Sequence, residues 1–294
     1  MRFAALIAVA LLGCDRTPPP APGELVDSVT SLSELGATRV RISGSSAQQP
    51  LVNAAKERFE AAHGGVSVEV SAGGSRKGLA DVASGAVHIG ASDLFAPPDL
   101  RGALVDHRVA VVGFAIMAHR GPYNDRVDAL GVRELAAIFS GRVRDWRELG
   151  GDPQPIVVIN RAPGSGTRTV VGQMLLGGEP FVEAKTEDNS GALVDKLRQS
   201  KGAISYLALS FTTPDVRVFP IRTERGAVEP TEANIVTGAY PLWAYEHMYT
   251  KGAPTGAVRL FLDYVLSPEF QERVLPSVRG FIPVTAMAVS KDED

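Results

Sequence analysis

Apolar residues recur along this chain with two different spacings that alternate. Residues 66–70 place valine at every second position, which is typical of a strand. Residues 51–62 instead place their apolar residues at helical spacing on one face, namely Leu51, Ala55, Phe59 and Ala62. Because the two patterns keep alternating along the chain, the sequence predicts an α/β protein built on parallel strands.

The same patterns predict the remaining elements. Residues 109–118 form the longest unbroken apolar run, which suits a central strand buried on both faces and is too short to cross a membrane. Further strands are predicted at 40–42, 87–89, 157–160, 203–207, 216–220, 240–245 and 281–284. Further helices are predicted at 79–83, 132–139, 169–176, 190–199, 258–266 and 268–275.

Glycine- and serine-rich loops separate a strand from a helix at three places, namely Ser43–Ser46, Gly73–Ser75 and Gly164–Thr167. Helix N-termini carry unpaired N–H groups and partial positive charge, which suit an anion. Arg161, just before the third loop, adds a forked cation that can hold two oxygens. Each loop alone is also an ordinary turn with a helix cap. Three at the carboxyl ends of parallel strands favour a shared anion site.

Composition limits the classes of function. The chain has 294 residues, 45% of them hydrophobic, and a net charge of −3, which predicts one large or two medium domains and no nucleic-acid partner. The single cysteine excludes a disulfide framework and a cysteine-based zinc site. The five histidines are scattered, and we expect most of them at the surface or at strand ends. The sequence therefore predicts neither a metal nor a cofactor.

The N-terminus carries its own signal. Residues 3–12 are apolar and follow Arg2, as in a signal peptide. The segment Leu11-Leu12-Gly13-Cys14 resembles the lipobox of bacterial lipoproteins, so residues 1–14 are expected to be a signal peptide with Cys14 lipidated. A signal peptide with an incidental cysteine is the alternative. Residues 15–38 read as a proline-rich tether, which would hold the folded part in the periplasm or on the outer face of the cell membrane.

The order of motifs resembles the phosphate-binding protein of bacterial ABC phosphate transporters. The resemblance runs from about residue 39 to 286 and rests on Gly44–Pro50, Gly73–Ser75, Gly90–Asp93, Phe139–Gly141 with Asp145-Trp146, Arg161 with Gly164–Thr167, and Gly238–Leu242. It implies a two-lobed type II periplasmic-binding-protein fold, α/β, with two mixed-parallel sheets flanked by helices and joined by two hinge crossings. Lobe 1 would comprise residues 39–115 and 241–294, and lobe 2 residues 116–240.

The resemblance also implies the ligands of the phosphate ion. Backbone N–H groups would come from the first loop, a hydroxyl and an N–H from the second, a carboxylate acceptor from Asp93, and two bonds from Arg161. The full set is Ser46, Ala47, Gln48, Gln49, Ser75, Asp93, Arg161, Ser165, Gly166 and Thr167. Family versions of the first loop carry Thr-Phe where this chain has Gln48-Gln49. Arg76 and Lys77 either steer anions or are simply solvated.

Asp93 is the unusual member of this set, because a carboxylate repels an anion. It can, however, accept a hydrogen bond from the P–OH of phosphate, whereas sulfate has no proton to offer at neutral pH. A carboxylate facing a sulfate oxygen costs about 1–3 kcal/mol or more, which predicts selectivity for phosphate. The alternative is that Asp93 only caps a helix beginning at Leu94-Phe95.

The function expected from the resemblance is capture of inorganic phosphate and its delivery to the permease subunits of an ABC importer, by a monomer anchored through lipid. Three alternatives remain open. The first is catalysis through Ser165, although the sequence shows neither a Gly-x-Ser-x-Gly motif nor clustered metal ligands. The others are a phosphate sensor that feeds no transporter, and a binding protein for sulfate, phosphonate or a metal oxyanion.

Overall fold

The computed structural model describes residues 38–291. Its strands are β1 Thr38–Gly44, β2 Val66–Ala72, β3 Ile89–Ser92, β4 Leu104–His119, β5 Leu130–Gly131, β6 Val157–Arg161, β7 Lys185–Glu187, β8 Ala203–Ala208, β9 Val216–Phe219, β10 Ile221–Thr223, β11 Gly226–Val228, β12 Trp243–Lys251 and β13 Phe281–Ile282. Its α-helices are α1 Gln49–Ala62, α2 Ser75–Ser84, α3 Val132–Phe139, α4 Gly166–Leu176, α5 Ser190–Gln199, α6 Glu232–Val236 and α7 Gly256–Val265. The signal peptide, Cys14 and nearly all of the tether lie outside the described residues.

One long strand, β4, organises the sheet. The strand order is β2-β1-β3-β12-β4-β8-β6-β7, with β9 and β13 also paired to β4. Residues 104–113 of β4 pair with β12, and residues 114–118 pair with β8. The predicted run 109–118 is buried throughout and forms the middle of β4. The two predicted sheets are therefore two halves of one continuous ladder that shares this strand.

Parallel and antiparallel pairs are mixed in both halves. β1 runs parallel to β2 and β3, and β6 runs parallel to β7 and β8. β12 is antiparallel to both of its neighbours, as β4 is to β8. Within each parallel group the carboxyl ends point to one edge, which places the loops after β1, β2 and β3, and those after β6 and β7, around a common crevice.

The helical spacing of the apolar residues in α1 places most of them on one buried face. Leu51, Val52, Ala55 and Phe59 are buried, and Phe59 makes an edge contact with Phe261 of α7. Ala62, which has the same periodicity, is exposed at the end of the helix, so its predicted place on the buried face was wrong.

Three other predictions differ from the structure. Helix α4 begins at Gly166, three residues before the predicted start, because the Ser165 side chain accepts the N–H of Arg168 and caps the first turn. The helix expected at 268–275 is a π-helical turn, Phe270–Val274, followed by a 3-10 turn that contains Pro276, which has no N–H to continue a helix. His247 is 1% exposed within β12, which makes it an exception to the expected surface positions of the histidines.

No helix within residues 38–291 is long and apolar enough to cross a membrane.

Candidate functional site

Four helix N-termini meet at the crevice between the two halves of the sheet. They belong to α1, α2, α4 and α5, which follow β1, β2, β6 and β7 respectively. Hydrogen bonds join the loops: Ser46 and Ser190 hydroxyls lie 3.3 Å apart, and the Arg76 N–H donates to the Gly164 carbonyl at 3.2 Å. Each N-terminus contributes free N–H groups and partial positive charge. Their convergence makes this crevice a strongly anion-favouring place.

Arg161 lies at the centre of these loops with 1% of its surface exposed. Its guanidinium donates to three neutral oxygens: Ser46 Oγ at 2.9 Å, Ser190 Oγ at 3.1 Å and the Asp188 carbonyl at 3.5 Å. Its Nε has no partner among the described residues. Burial lowers the pKa of Arg161, and the charge of Asp93 opposes that shift. A buried cation bonded only to neutral groups is poised to take an anion.

Asp93 lies directly after β3 with 3% of its surface exposed. Its N–H donates to Ser75 Oγ at 3.0 Å, and its Oδ2 accepts the Thr167 hydroxyl at 2.8 Å. Turns and extended backbone, not a helix, follow it, so the alternative that Asp93 caps a helix at Leu94-Phe95 was wrong. The residue therefore bridges the second and third loops across the crevice.

The segment from Ser46 to Gln49, which leads from the first loop into α1, is held against β12. Ser46, Ala47 and Gln48 are buried and Gln49 is half-buried. The Ala47 N–H donates to Ser45 Oγ at 3.1 Å, which engages that predicted donor within the loop. The Gln48 side-chain amide donates to the His247 carbonyl at 3.4 Å. The Gln48 side chain thus ties the start of α1 to the sheet.

The second and third loops approach each other closely because of two glycines. A Cβ on Gly166 would lie 2.8 Å from Ser75 Cβ and 3.0 Å from Asp93 Cβ. Gly74 has φ of +84°, and a Cβ there would lie 2.6 Å from the Gly164 carbonyl oxygen. Such distances leave no room for a methyl group. The second and third loops can therefore lie this close to each other only with glycine at these positions.

We predict that Gly166→Ala weakens anion binding while the protein still folds. The added methyl group must push Ser75 and Asp93 away from α4, and overpacking of about 1–3 kcal/mol corresponds to roughly 5-fold to 100-fold in affinity. Gly102→Ala is the matched control, because nothing lies within 4 Å of a Cβ there. Equal phosphate affinities of the two variants, measured by titration calorimetry, would contradict the close approach.

The structure brings nine of the ten predicted residues into buried positions around this crevice, with Gln49 half-buried at the edge. It also adds two that the sequence analysis missed. Ser190, at the start of α5, bonds both Arg161 and Ser46. Glu246, in β12, is completely buried beside Asp93. Ser190 opens the helix predicted at 190–199 and Glu246 directly follows the predicted extended run, but no local pattern connects either residue to the site.

The lysine after the second loop does not enter the crevice. Lys77 is exposed and forms an ion pair with Asp81 at 2.5 Å, one helical turn away. Arg76 is exposed but borders a cavity of about 900 Å³ that reaches Asp93 and the aromatic side chains of Phe95 and Tyr245. Lys77 is therefore simply solvated, whereas Arg76 borders the cavity that leads to Asp93.

Across residues 38–291 no group of three or more His, Cys, Asp or Glu side chains is arranged to hold a metal ion. Ser165 Oγ accepts the backbone N–H of Arg168 at 3.2 Å, so this hydroxyl acts as a helix cap.

This chain is similar to known proteins in sequence and in fold. Residues 30–269 match the family model described as a PBP superfamily domain. The phosphate-binding protein PstS of Bacillus subtilis is 44% identical over 255 residues, which cover 85% of this chain and 82% of that protein.

Two solved structures resemble this one along most of its length. One is a phosphate ABC transporter substrate-binding protein from Clostridium perfringens, solved with bound phosphate. It has a TM-score of 0.77 and 27% identity and covers 84% of this chain and 100% of that chain. The other is an ABC-type phosphate transport receptor from Vibrio cholerae, with a TM-score of 0.65, 20% identity and the same coverage, which shows the shared fold.

Proposed function

Because this chain belongs to the PBP superfamily and to the family of the phosphate-binding protein PstS, we propose that it binds inorganic phosphate in the crevice and delivers it to an ABC-type importer. The family is one of solute-binding proteins, and we propose that this member is not an enzyme. The buried guanidinium of Arg161, bonded only to neutral oxygens, carries the proposal.

The phosphate would take the place that the loops leave for an anion. Arg161 would bind two of its oxygens, while the N-termini of α1, α2 and α4 would supply N–H groups. Hydroxyls would come from Ser75 and Ser165, whereas the single O–H of Thr167 donates to Asp93, so Thr167 would offer its backbone N–H. Ser46 and Ser190 hold the guanidinium in position, so the cation meets the ligand already oriented.

Asp93 would supply the selectivity. Asp93 lies between Ser75, which accepts its N–H, and Thr167, which donates to its carboxylate, and both are residues proposed to bind the ligand. A P–OH can donate to it, whereas a fully deprotonated oxyanion presents only lone pairs. The site would therefore recognise the proton of the ligand as well as its charge.

We further propose that the two halves of the sheet act as lobes, with residues 39–115 and 241–294 in the first and 116–240 in the second. The hydrogen bonds from Thr167 to Asp93 and from Arg161 to Ser46 join these lobes directly. Those bonds are available only when the lobes are closed. Hinge motion about β4 and the segment 238–245 would open the crevice to ligand.

The anchor and the partner complete the proposal. A lipid on Cys14 and the tether at 15–38 would hold the monomer in the periplasm or at the outer face of the cell membrane. From there it would meet the permease subunits of the transporter. No nucleic acid or cofactor takes part in this scheme.

The identity of the anion is testable by thermal unfolding of the phosphate-free protein. A ligand that binds only the folded state raises the midpoint in proportion to ln(1 + [L]/Kd). We expect phosphate to raise it strongly, and sulfate, a phosphonate and molybdate to raise it far less at equal concentration. A larger shift with one of the other anions would reassign the ligand.

Delivery is testable in cells. Deletion of the gene for this protein is expected to reduce uptake of radiolabelled phosphate by the cells, and reintroduction of the unmodified gene is expected to restore uptake. Normal uptake together with a lost response to phosphate starvation would instead favour a sensor.

A further inference from the structure

Glu246 is a buried acid for which phosphate binding, as described so far, gives no role. It lies in β12 with 0% of its surface exposed, and no N–H or O–H of the described residues donates to either of its carboxyl oxygens. An ionised carboxylate in such a place would cost several kcal/mol or more. The group must therefore be neutral or have an unusual partner.

That partner is Asp93. β12 runs antiparallel to β3, and the last pair of that register is His247 opposite Ser92. Glu246 and Asp93 are the residues that directly follow this pair along the two backbone segments, so they lie beside each other at the end of the ladder. Asp93 is the acid whose charge acts on Glu246. Asp93 Oδ1 also lacks a donor among the described residues. Two ionised carboxylates would repel each other here, and a single proton converts the contact into a hydrogen bond.

The surroundings decide which of the two acids holds the proton. Asp93 accepts the Thr167 hydroxyl, and its charge acts on the nearby guanidinium of Arg161. Glu246 has neither. Complete burial raises the pKa of Glu246 well above its usual value, and the charge of Asp93 and the hydrogen bond to it act in the same direction. The proton therefore belongs on Glu246.

Among the described residues, none of the other charged groups near this pair donates to Glu246. His247, the next residue in β12, bonds Asp106 of β4 through Nδ1 at 2.8 Å. Arg108 of β4 stacks over Phe95 and Tyr245 at about 5 Å. On the opposite half of the sheet Arg161 faces Asp93, and its hydrogen bonds go to neutral oxygens.

We propose that Glu246 is a protonated positioning residue: it donates its O–H to Asp93 Oδ1 and so holds Asp93 as an ionised, acceptor-only group facing the ligand. The proposal rests on the phosphate-binding function proposed above and assigns this family site a supporting acid. Because the Glu246 proton is directed to Asp93, it is not available to an anion. A bound sulfate therefore cannot accept a hydrogen bond from this proton, and the preference of Asp93 for phosphate over sulfate is preserved.

Two variants of Glu246 separate this role from a packing role. Glu246→Gln keeps a neutral donor of the same shape, and we expect it to retain phosphate affinity and the phosphate-to-sulfate ratio within about threefold. Glu246→Leu keeps the volume but removes the donor, and we expect it to weaken phosphate binding about tenfold or more. As the pH is lowered, the ratio of phosphate to sulfate affinity of Glu246→Leu is also expected to fall at a higher pH than that of the unmodified protein.

A second measurement tests the proton without any ligand. If Glu246 keeps its proton in the folded state, unfolding releases that proton above pH 4.5, the usual value for this group. Stability contributed by the group is then present at low pH and lost as pH rises. Glu246→Gln removes that loss of stability. Its midpoint of thermal unfolding should therefore exceed that of the unmodified protein, and the margin should grow from about pH 4.5 to about pH 7.5.

Each of the two measurements can contradict a different part of the proposal. A margin that does not grow with pH would overturn the proton assignment, whatever the protein binds. Equal losses of phosphate affinity in Glu246→Gln and Glu246→Leu would overturn the donor role. If the unmodified protein binds no phosphate while the margin still grows, the proposed function fails and the protonated acid remains.

Discussion

Arg161→Met is expected to lower the affinity for phosphate by about 30-fold to several thousand-fold, because removal of one partner from a buried charge pair costs about 2–5 kcal/mol. Methionine has a similar length and fills the space without donating to the ligand. The phosphate-free protein should lose less than this in stability, because among the described residues the guanidinium donates to three neutral oxygens and to no carboxylate. Titration calorimetry gives the affinity, and denaturant unfolding without phosphate gives the stability.

Arg259→Met is the matched control for this experiment. Arg259 lies on α7 with 67% of its side chain exposed and pairs with Asp263. We expect its phosphate affinity to equal that of the unmodified protein. Arg161→Met with unchanged affinity would remove the guanidinium from the site. A large loss of stability in phosphate-free Arg161→Met would mean that the residue acts mainly in folding.

Asp93→Asn is expected to reduce the ratio of phosphate to sulfate affinity by about 5-fold to 100-fold, because the contact that penalises sulfate is worth about 1–3 kcal/mol. The asparagine amide can donate to a sulfate oxygen, so sulfate binding should improve while phosphate loses its best acceptor. Parallel calorimetric titrations with the two anions at constant ionic strength measure the ratio directly.

The control for Asp93→Asn is Asp263→Asn, which removes one negative charge from an exposed position on α7. Its ratio should not change, because charges at the surface are screened by salt. The selectivity role of Asp93 would be untenable if both variants kept the ratio of the unmodified protein.

The loops of the site could be predicted because their signals are local. At Ser43–Ser46, Gly73–Ser75 and Gly164–Thr167, apolar alternation ends, small residues follow and helical spacing begins. These three changes of pattern need no knowledge of distant residues. Helices α1, α2 and α4 start in or next to these loops, so the strand–loop–helix order was confirmed.

Ser190 was missed because the strand before it has a weak pattern. β7 has only three residues, Lys185–Glu187, of which two are exposed. Charged residues without alternation do not predict a strand, so the serine after it was not recognised as a fourth loop of the same kind. Its contact with Arg161 comes from parallel pairing of β7 with β6, a long-range fact that no local pattern carries.

Glu246 and His247 could not be placed from the sequence for a different reason. The predicted extended run stops at residue 245, and an acid followed by a histidine is typical of an exposed strand end. Pairing of β12 with β3 on one side and β4 on the other buries both residues. The partners that make the burial tolerable, Asp93 and Asp106, lie more than a hundred residues earlier in the chain.

Titration of the phosphate-free protein with phosphate, in the absence and presence of excess sulfate, tests the central claim most directly. Calorimetry is expected to show one site per chain with a dissociation constant of micromolar order or tighter, equivalent to about −8 kcal/mol or better. Excess sulfate should leave that constant nearly unchanged. Absence of phosphate binding by a folded sample, or full competition by sulfate, would contradict phosphate capture through Arg161 and Asp93.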